Sequence, residues 1–375
     1  MITKWKILYL HSCADISGAE RSLYYLIKNL DPDLFEPLVV LGGEGKFADL
    51  LRDAKIPLVI TRLSKLNKRN PLSTFAYIKS VFDLVKIIRK HEVDILHING
   101  NYDGRFALAG KLGKVKCVMH LRNIVTKKIF YFDFLFLADC FISISEYVYR
   151  SAQKFRKISG NNRIIYNGVD LAETKFSTMQ RNDFRRRMGI LDSGLLIGIA
   201  GQIAPVKGHL NLLQVIKRLK NKFPEFTLLI AGDTRISGNK AYEKEVFDFI
   251  NANDLGTHVQ YIGFIDNINE FYCGIDILVV PSLYEPFGRV IVEAMACEKV
   301  VVASNVGGGA EIIEDGVDGY LFNPHDKEEM LSALSRAIRN RDNLQMGLRA
   351  RQKIENKFSI INSADKIMKF HKTIA

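Results

Sequence analysis

The sequence predicts an α/β protein of two domains, each with a parallel sheet covered by helices. Three observations carry this. Short runs rich in Ile, Val, Leu and Phe alternate with amphipathic helical stretches along the whole chain. The runs are almost continuously apolar rather than alternating, as expected of strands buried on both faces. The series occurs twice, around a polar stretch at 166–192, and 375 residues suit two domains of about 150 residues each.

In the first half, strands are expected at 6–12, 36–41, 57–61, 94–98, 116–120, 140–143 and 163–165, with helices such as 19–30 and 74–91 between them. In the second half, strands are expected at 195–200, 227–232, 259–262, 277–280 and 300–304, and helices at 208–222, 240–251, 289–297 and 326–340. Each series reads as a Rossmann-like domain. The expected boundaries are a first domain at 1–170, a linker at 171–192 and a second domain at 193–360. Two such domains face each other across a cleft, with ligands outside the carboxyl ends of the strands.

Composition excludes several classes. With 47% hydrophobic and 25% charged residues, the chain is neither disordered nor low-complexity. It has no run of about 18 apolar residues, the length that crosses a bilayer. The opening MITKWKILYLHS reads as a buried strand rather than a signal peptide, because its apolar stretch is short and no A-x-A site follows. Five cysteines without a C-x-x-C fit a reducing cytoplasm and provide no zinc or disulfide framework. Charge is uneven. Residues 1–190 hold 32 basic and 18 acidic residues, a net of +14, and the remainder is −2. Lys65, Lys68, Arg69, Lys79, Lys86, Arg89 and Lys90 face a single acid, Asp83, within 65–90. Such a half attracts nucleic acid, an anionic membrane or a phosphorylated substrate, or keeps the surface soluble.

Chemistry-bearing residues gather at strand ends. Gly18 sits in the loop before the first helix, either as a tight turn or as an approach for a ligand to helix amides. No full G-x-G-x-x-G surrounds it. After the strand 195–200 comes Gly201-Gln202-Ile203-Ala204-Pro205-Val206-Lys207-Gly208. Lys207 is either a surface lysine or an ammonium that holds a diphosphate leaving group. After the strand 277–280 comes Pro281-Ser282-Leu283-Tyr284-Glu285-Pro286-Phe287-Gly288-Arg289, then a helix bearing Glu293 in an apolar run. A carboxylate there needs a partner. The vicinal hydroxyls of a ribose would serve, and so would a neighbouring Lys or Arg. His120 and Arg122 end the strand 116–120, and His120 is either structural or part of a site.

Together these segments resemble the retaining glycosyltransferases of family 4, which have the GT-B architecture. The resemblance spans nearly the whole chain. Its most specific part is the Glu285–Glu293 spacing within P-S-x-x-E-P-F-G. The 201–208 stretch, Asn167-Gly168-Val169-Asp170, Ser145-Glu146 and 307–311 add to it. Segment 361–375 looks like the family's last helix, which crosses back to the first domain. The resemblance implies that Glu293 binds the donor ribose and that Glu285 faces the transferred sugar. It implies that the Phe287 and Gly288 amides contact sugar and phosphate, that Lys207 neutralises the diphosphate, that Gly18 approaches the donor, and that His120 lies near the sugar. Many members have Arg where this chain has Gln202. Diphosphate binding would then rest more on Lys207 and on a base such as Arg289. On the acceptor side the candidates are Asn99 and Arg122.

The implied reaction is sugar transfer with retention, from a nucleotide-diphosphate sugar (UDP or GDP) to a hydroxyl of a glycan or lipid-linked acceptor, in cell-surface polysaccharide or glycolipid synthesis. No cofactor or metal is implied, and no D-x-D-like site is evident. A nucleotide-sugar epimerase of the same fold is the alternative, and a basic nucleic-acid-binding or membrane-binding protein is a third class. No helix-turn-helix, zinc or aromatic–basic signature supports nucleic acid. The helix 74–91 is expected to bury Phe75, Ile78, Phe82, Val85 and Ile88 beneath a basic outer face. Otherwise it lies on an anionic leaflet. The aromatic stretch 127–136 either lines a lipid-acceptor groove or is core. Peripheral attachment to the cytoplasmic membrane face follows as an expectation.

Overall fold

The computed structural model describes residues 4–66, 70, 72–190, 194–235, 238–341 and 344–374. Lys68 and Arg69 of the basic stretch lie outside the described residues, as do Met1, Asp192, Ser193 and Ala375 at the edges of expected segments. The chain divides into two units, Met1–Gly168 with Ile360–Ala375, and Val169–Ser359.

Among the described residues of the first unit, seven strands form one parallel sheet. They are β1 (Trp5–His11), β2 (Phe35–Leu41), β3 (Leu58–Ile60), β4 (Ile95–Ile98), β5 (Lys116–Leu121), β6 (Cys140–Ser143) and β7 (Asn162–Ile164). Their order is β3-β2-β1-β4-β5-β6-β7. All seven were expected, most because they are apolar on both faces; β7 is the exception, with a buried Asn162 and an exposed Arg163. Ile7, Leu8, Tyr9 and Leu10 are all fully buried. Leu23 and Leu26 of the helix Gly18–Lys28 cover the same core as Ala364 and Ile367 of the helix Ile360–Ile374. The last helix therefore belongs to the first unit, as expected.

The second unit repeats the plan with β8 (Leu196–Ala200), β9 (Thr227–Ala231), β10 (Val259–Gly263), β11 (Ile277–Val280), β12 (Val300–Ser304) and β13 (Tyr320–Phe322), in the order β10-β9-β8-β11-β12-β13. The sixth strand was not expected. It has three residues and is held at the sheet edge by pairing with Val302–Ser304. Both sheets reverse their winding next to their first strand, at β1/β4 and at β8/β11. In sheets of this kind the loops at that reversal form the ligand crevice of each unit.

Two sequence expectations need correction. The stretch 171–192, read as linker, carries the helix Thr178–Arg187, which groups with the second unit. It is anchored by Phe184 and by Arg185, which is fully buried. Arg185 Nη2 donates to both oxygens of Asp276, at 2.7 and 2.8 Å, and Nε donates to the Gly274 carbonyl at 2.9 Å. The helix Leu72–Lys90 is also turned differently from its expected phase. It buries Tyr77, Val81, Leu84, Val85 and Ile88, and it leaves Phe75 and Phe82 exposed at 73% and 55%. The aromatic stretch is split. Phe130 is buried and stacks on Phe155 at 4.4 Å, whereas Tyr131, Phe132 and Phe136 are exposed. Among the described residues, no helix is long and apolar enough to cross a membrane.

Candidate functional site

In the second unit, the loops after β8 and β11 are tied together by backbone. The Leu283 amide donates to the Val206 carbonyl at 2.8 Å. Gly208, at φ +73°, lets the two loops touch, since a Cβ there would sit 2.1 Å from the Pro281 carbonyl oxygen. A third loop closes on them. The Gly308 amide donates to the Glu285 carbonyl at 3.0 Å, and a Cβ on Gly308 would lie 1.4 Å from the Phe287 oxygen. These contacts position side chains that are far apart in sequence.

Lys207, at the end of a single tight turn Pro205–Lys207, donates from Nζ to Glu285 Oε2 at 2.7 Å. Ser282 Oγ donates to the same oxygen at 3.2 Å. The helix Arg289–Ala296 starts after Gly288, which has φ +98°. One turn into it, Glu293 is buried and doubly bound. Arg289 Nε donates to Oε1 at 2.9 Å, and the Tyr272 hydroxyl donates to Oε2 at 2.9 Å. The neighbouring-arginine partner foreseen for Glu293 is thus present. Burial, reinforced by the facing Glu293 carboxylate, pushes the Tyr272 phenol well above its ordinary range. It stays neutral and acts as a donor. Phe287 is buried, its ring 6.1 Å from that of Phe358. Gln202 is half-buried just past the end of β8. Lys207, Glu285, Phe287, Gly288, Arg289 and Glu293 therefore share one loop cluster. Each of its two cations, Lys207 and Arg289, is paired with a carboxylate.

The carboxyl ends of β1, β4 and β5 hold the other set. Gly18 is exposed and opens the helix Gly18–Lys28. Below it, His11 Nε2 pairs with Glu20, and His11 Nδ1 donates to the Asn99 carbonyl at 2.8 Å. Asn99 and Arg122 are bound to each other, with Arg122 Nε and Nη2 donating to Asn99 Oδ1 at 3.1 and 2.6 Å. Arg122 Nη1 also reaches Asn167 of the Asn-Gly-Val-Asp stretch. Ser145 caps the helix Glu146–Gln153, its Oγ accepting from the Val148 amide at 3.1 Å. His120 is buried, with Nδ1 3.1 Å from His97 Nε2. His97 Nδ1 is in turn 2.9 Å from His371 Nε2. Sequence reasoning missed Tyr272, His97 and His371. No local spacing marks them, because their partners lie 21, 23 and 274 residues away. Among the described residues, no group of three or more His, Cys, Asp or Glu is arranged to hold a metal ion.

Two family models match the chain. Glycosyltransferase Family 4 covers residues 16–173 and Glycosyl transferases group 1 covers 180–356. A lipopolysaccharide 1,2-N-acetylglucosaminetransferase of Salmonella typhimurium is 34% identical over 54% of this chain and 54% of its own length, so the chain spans about half of that relative. An Escherichia coli UDP-Gal:alpha-D-GlcNAc-diphosphoundecaprenol alpha-1,3-galactosyltransferase is 24% identical over 97% of this chain and 96% of its own. Among solved structures, Anabaena HepE in complex with UDP is similar at a TM-score of 0.86 and 26% identity, over 98% of this chain and 100% of that one. The same protein has been crystallised with UDP-glucose.

Proposed function

Because this chain belongs to glycosyltransferase family 4, the glycosyl transferases group 1, we propose that it moves a sugar from a UDP-sugar to a hydroxyl of a glycan or lipid-linked acceptor, with retention, in cell-surface polysaccharide or glycolipid synthesis. The observation that carries the reading is the loop cluster at β8 and β11. It gathers two cations and two carboxylates at the winding reversal of the second sheet. The complexes of HepE with UDP and UDP-glucose support a uridine donor. The names of the Salmonella and Escherichia relatives support an acceptor that is a lipopolysaccharide or a lipid-linked sugar.

The chemistry follows from charge. As the bond from the anomeric carbon to the phosphate oxygen breaks, positive charge builds on the sugar and negative charge on the diphosphate. Lys207 moves from Glu285 to the diphosphate and stabilises it as it leaves. Glu285, released from its ion pair, accepts hydrogen bonds from the sugar hydroxyls. Glu293 accepts from the ribose, with Tyr272 and Arg289 fixing its carboxylate. Arg289 lends a second positive charge, and the Gly288 and Phe287 amides contact phosphate and sugar. The acceptor oxygen bonds to the anomeric carbon on the face the diphosphate leaves. Its proton passes to a diphosphate oxygen, UDP departs, and configuration is retained. Asn99 and Arg122, together with Gly18, belong to the first unit's share of substrate binding.

The exposed face of the helix Leu72–Lys90 supports docking on an anionic leaflet. Leu72, Phe75, Ile78 and Phe82 are exposed on a helix whose last turns carry Lys86, Arg89 and Lys90. Apolar side chains seat in the acyl boundary while the bases meet lipid phosphates. A lipid-linked acceptor would be presented at that surface.

The test is product analysis of the chain with UDP-glucose, UDP-galactose and UDP-N-acetylglucosamine, with and without a lipid-linked sugar acceptor. Transfer that needs the acceptor is expected. Conversion of the donor to its epimer without any acceptor would replace this reading with an epimerase.

A further inference from the structure

Two cysteines that the proposed transfer chemistry leaves unused stand behind Glu293, within the second unit. Cys273 follows Tyr272 on the helix Ile268–Gly274, and Cys297 ends the helix Arg289–Ala296, one turn beyond Glu293. Both are fully buried and both are free thiols. Their sulfurs converge on one side-chain amide. Cys297 Sγ donates to Asn269 Oδ1 at 3.0 Å, and Asn269 Nδ2 lies 3.7 Å from Cys273 Sγ. The two thiols also hydrogen-bond to each other. Among the described residues, no third His, Cys, Asp or Glu completes a metal site with them.

The surroundings make the two sulfurs unequal. The hydrogen bond from Cys297 holds the Cys273 thiol below its ordinary range against the cost of burial, and the Ser177 backbone and the Lys299 charge act in the same direction. Lys299 is fixed beside it. Its Nζ donates to the Cys273 carbonyl at 3.1 Å and lies 4.3 Å from the centre of the Phe176 ring. The contact with Cys273, and then burial, pushes the Cys297 thiol up. Cys273 is therefore the sulfur that ionises and attacks, and Cys297 keeps its proton. A loop covers Cys273, whose Sγ reaches the Lys175 carbonyl at 3.5 Å. Lys175 and Phe176 of that loop, together with Glu298 next to Cys297, line a surface hollow of about 510 Å³. The thiols thus lie just behind its wall, within reach of a small oxidant when the loop opens.

We infer that Cys273 and Cys297 are a peroxide-sensitive dithiol whose closure to a disulfide weakens the donor site. The effect on the donor rests on the glycosyltransferase reading, and the disulfide rests on the two thiols alone. The Cys273 thiolate attacks one oxygen of hydrogen peroxide. The O–O bond breaks, and the departing hydroxide takes up the proton that Cys273 lost and leaves as water. Cys273 is then a sulfenic acid. The Cys297 sulfur attacks it, the S–O bond breaks, and hydroxide leaves with the Cys297 proton as a second water. The thiols lose two electrons and two protons, and peroxide takes up both. The new bond ties together the helices that hold Glu293. The Tyr272 hydroxyl donates to Glu293 Oε2 at 2.9 Å, and the Cys297 amide donates to the Glu293 carbonyl at 3.2 Å. Drawing the sulfurs together shifts Tyr272 against Glu293 and disturbs the carboxylate proposed to bind ribose.

The experiment treats the full reduced chain with hydrogen peroxide, blocks remaining thiols with N-ethylmaleimide in denaturant, and maps cross-linked peptides by mass spectrometry. UDP affinity is measured by calorimetry before and after oxidation. A Cys273–Cys297 cross-link is expected, with UDP affinity lowered about tenfold, the effect of disturbing one hydrogen bond to a charged group. Dithiothreitol should restore it. Cys297→Ser, which keeps a donor to Asn269, should bind UDP within about twofold of wild type and lose the peroxide effect. Oxidation of the exposed Cys13 without any Cys273–Cys297 cross-link overturns the inference. A complete cross-link with unchanged UDP affinity overturns the effect on the donor site, and so does a peroxide effect that persists in Cys297→Ser. A reduced wild-type chain that binds no UDP contradicts the donor reading itself, and the peptide map still decides whether the dithiol closes.

Discussion

Lys207 Nζ and Glu285 Oε2 lie 2.7 Å apart although 78 residues separate them in the chain. The pair joins the loop after β8 to the loop after β11 at the winding reversal of the second sheet. In the proposed reaction, the ammonium leaves this pair for the departing diphosphate. Lys207→Met removes the only aliphatic ammonium in the proposed donor cluster. Turnover is expected to fall by about 10²–10³-fold, the range for losing one group that stabilises developing charge. Steady-state kinetics with a UDP-sugar and acceptor checks this. An unchanged kcat would remove Lys207 from leaving-group stabilisation.

The helix Thr178–Arg187 is fastened by an ion pair from its buried Arg185 to Asp276. Asp276 accepts two bonds from Arg185 and a third from the Leu196 amide at 2.8 Å, at the start of β8. Arg185→Met leaves Asp276, whose side chain is 25% exposed, without its counter-charge. A loss of about 3 kcal/mol is expected in urea denaturation of the full chain. Asp276→Asn should cost less, because an amide still accepts one bond.

Stability should fall in mild acid. His97, His120 and His371 are buried neutral, so their folded pKa values lie below the unfolded one, and His371 stands at about 3. In this window the unfolded chain binds more protons than the folded one. The stabilisation is complete above about pH 6.5 and is lost as pH falls toward the folded values, on the order of 1.4 kcal/mol per pH unit for each histidine. His11 acts in the opposite sense. Burial draws its pKa down, but the bond to Glu20 and the charges of Glu20 and Asp103 outweigh this and raise it. Its contribution is present below the unfolded value and lost as pH rises through the folded one. Denaturant titrations at pH 7 and pH 5 should show a lower midpoint at pH 5. His371→Met should narrow the gap.

The exposed aromatic and basic face of the helix Leu72–Lys90 should bind anionic vesicles. Burying a phenylalanine is worth about 1.5–3 kcal/mol. The double substitution Phe75→Ser, Phe82→Ser is expected to lower recovery with phosphatidylglycerol vesicles at least tenfold, with little effect on thermal stability because both side chains are exposed. Raised salt should weaken wild-type binding. Equal recovery of wild type and variant in the supernatant would contradict membrane docking.

Both sheets were legible in the sequence because strands buried on two faces leave unbroken apolar runs. Twelve of the strands could be placed from the sequence, most from those runs, with the edge strands Asn162–Ile164 and Val259–Gly263 carrying a weaker apolar signal. β13 escaped because three residues are too few to form a pattern and its place is set by Val302, far upstream. The helix Thr178–Arg187 escaped for another reason. Its sequence, TMQRNDFRRR, has one aromatic anchor, and a buried arginine reads as a surface residue until its carboxylate is known. The phase of the helix Leu72–Lys90 was misjudged because Phe75 and Phe82 follow helical spacing as well as Tyr77 and Val81 do. In the candidate site, the Arg289–Glu293 pairing was readable as an i,i+4 contact. Lys207–Glu285 and the three histidines were not, since the fold alone brings them together.

The central claim is that the loop cluster of the second unit grips a uridine diphosphate sugar through Glu293. Calorimetric titration of UDP into the chain and into Glu293→Ala tests it most directly. Binding to the wild type, lost in Glu293→Ala and weakened in Lys207→Met, is the expected result. Equal affinity in all three chains would contradict the assignment of the donor to this cluster.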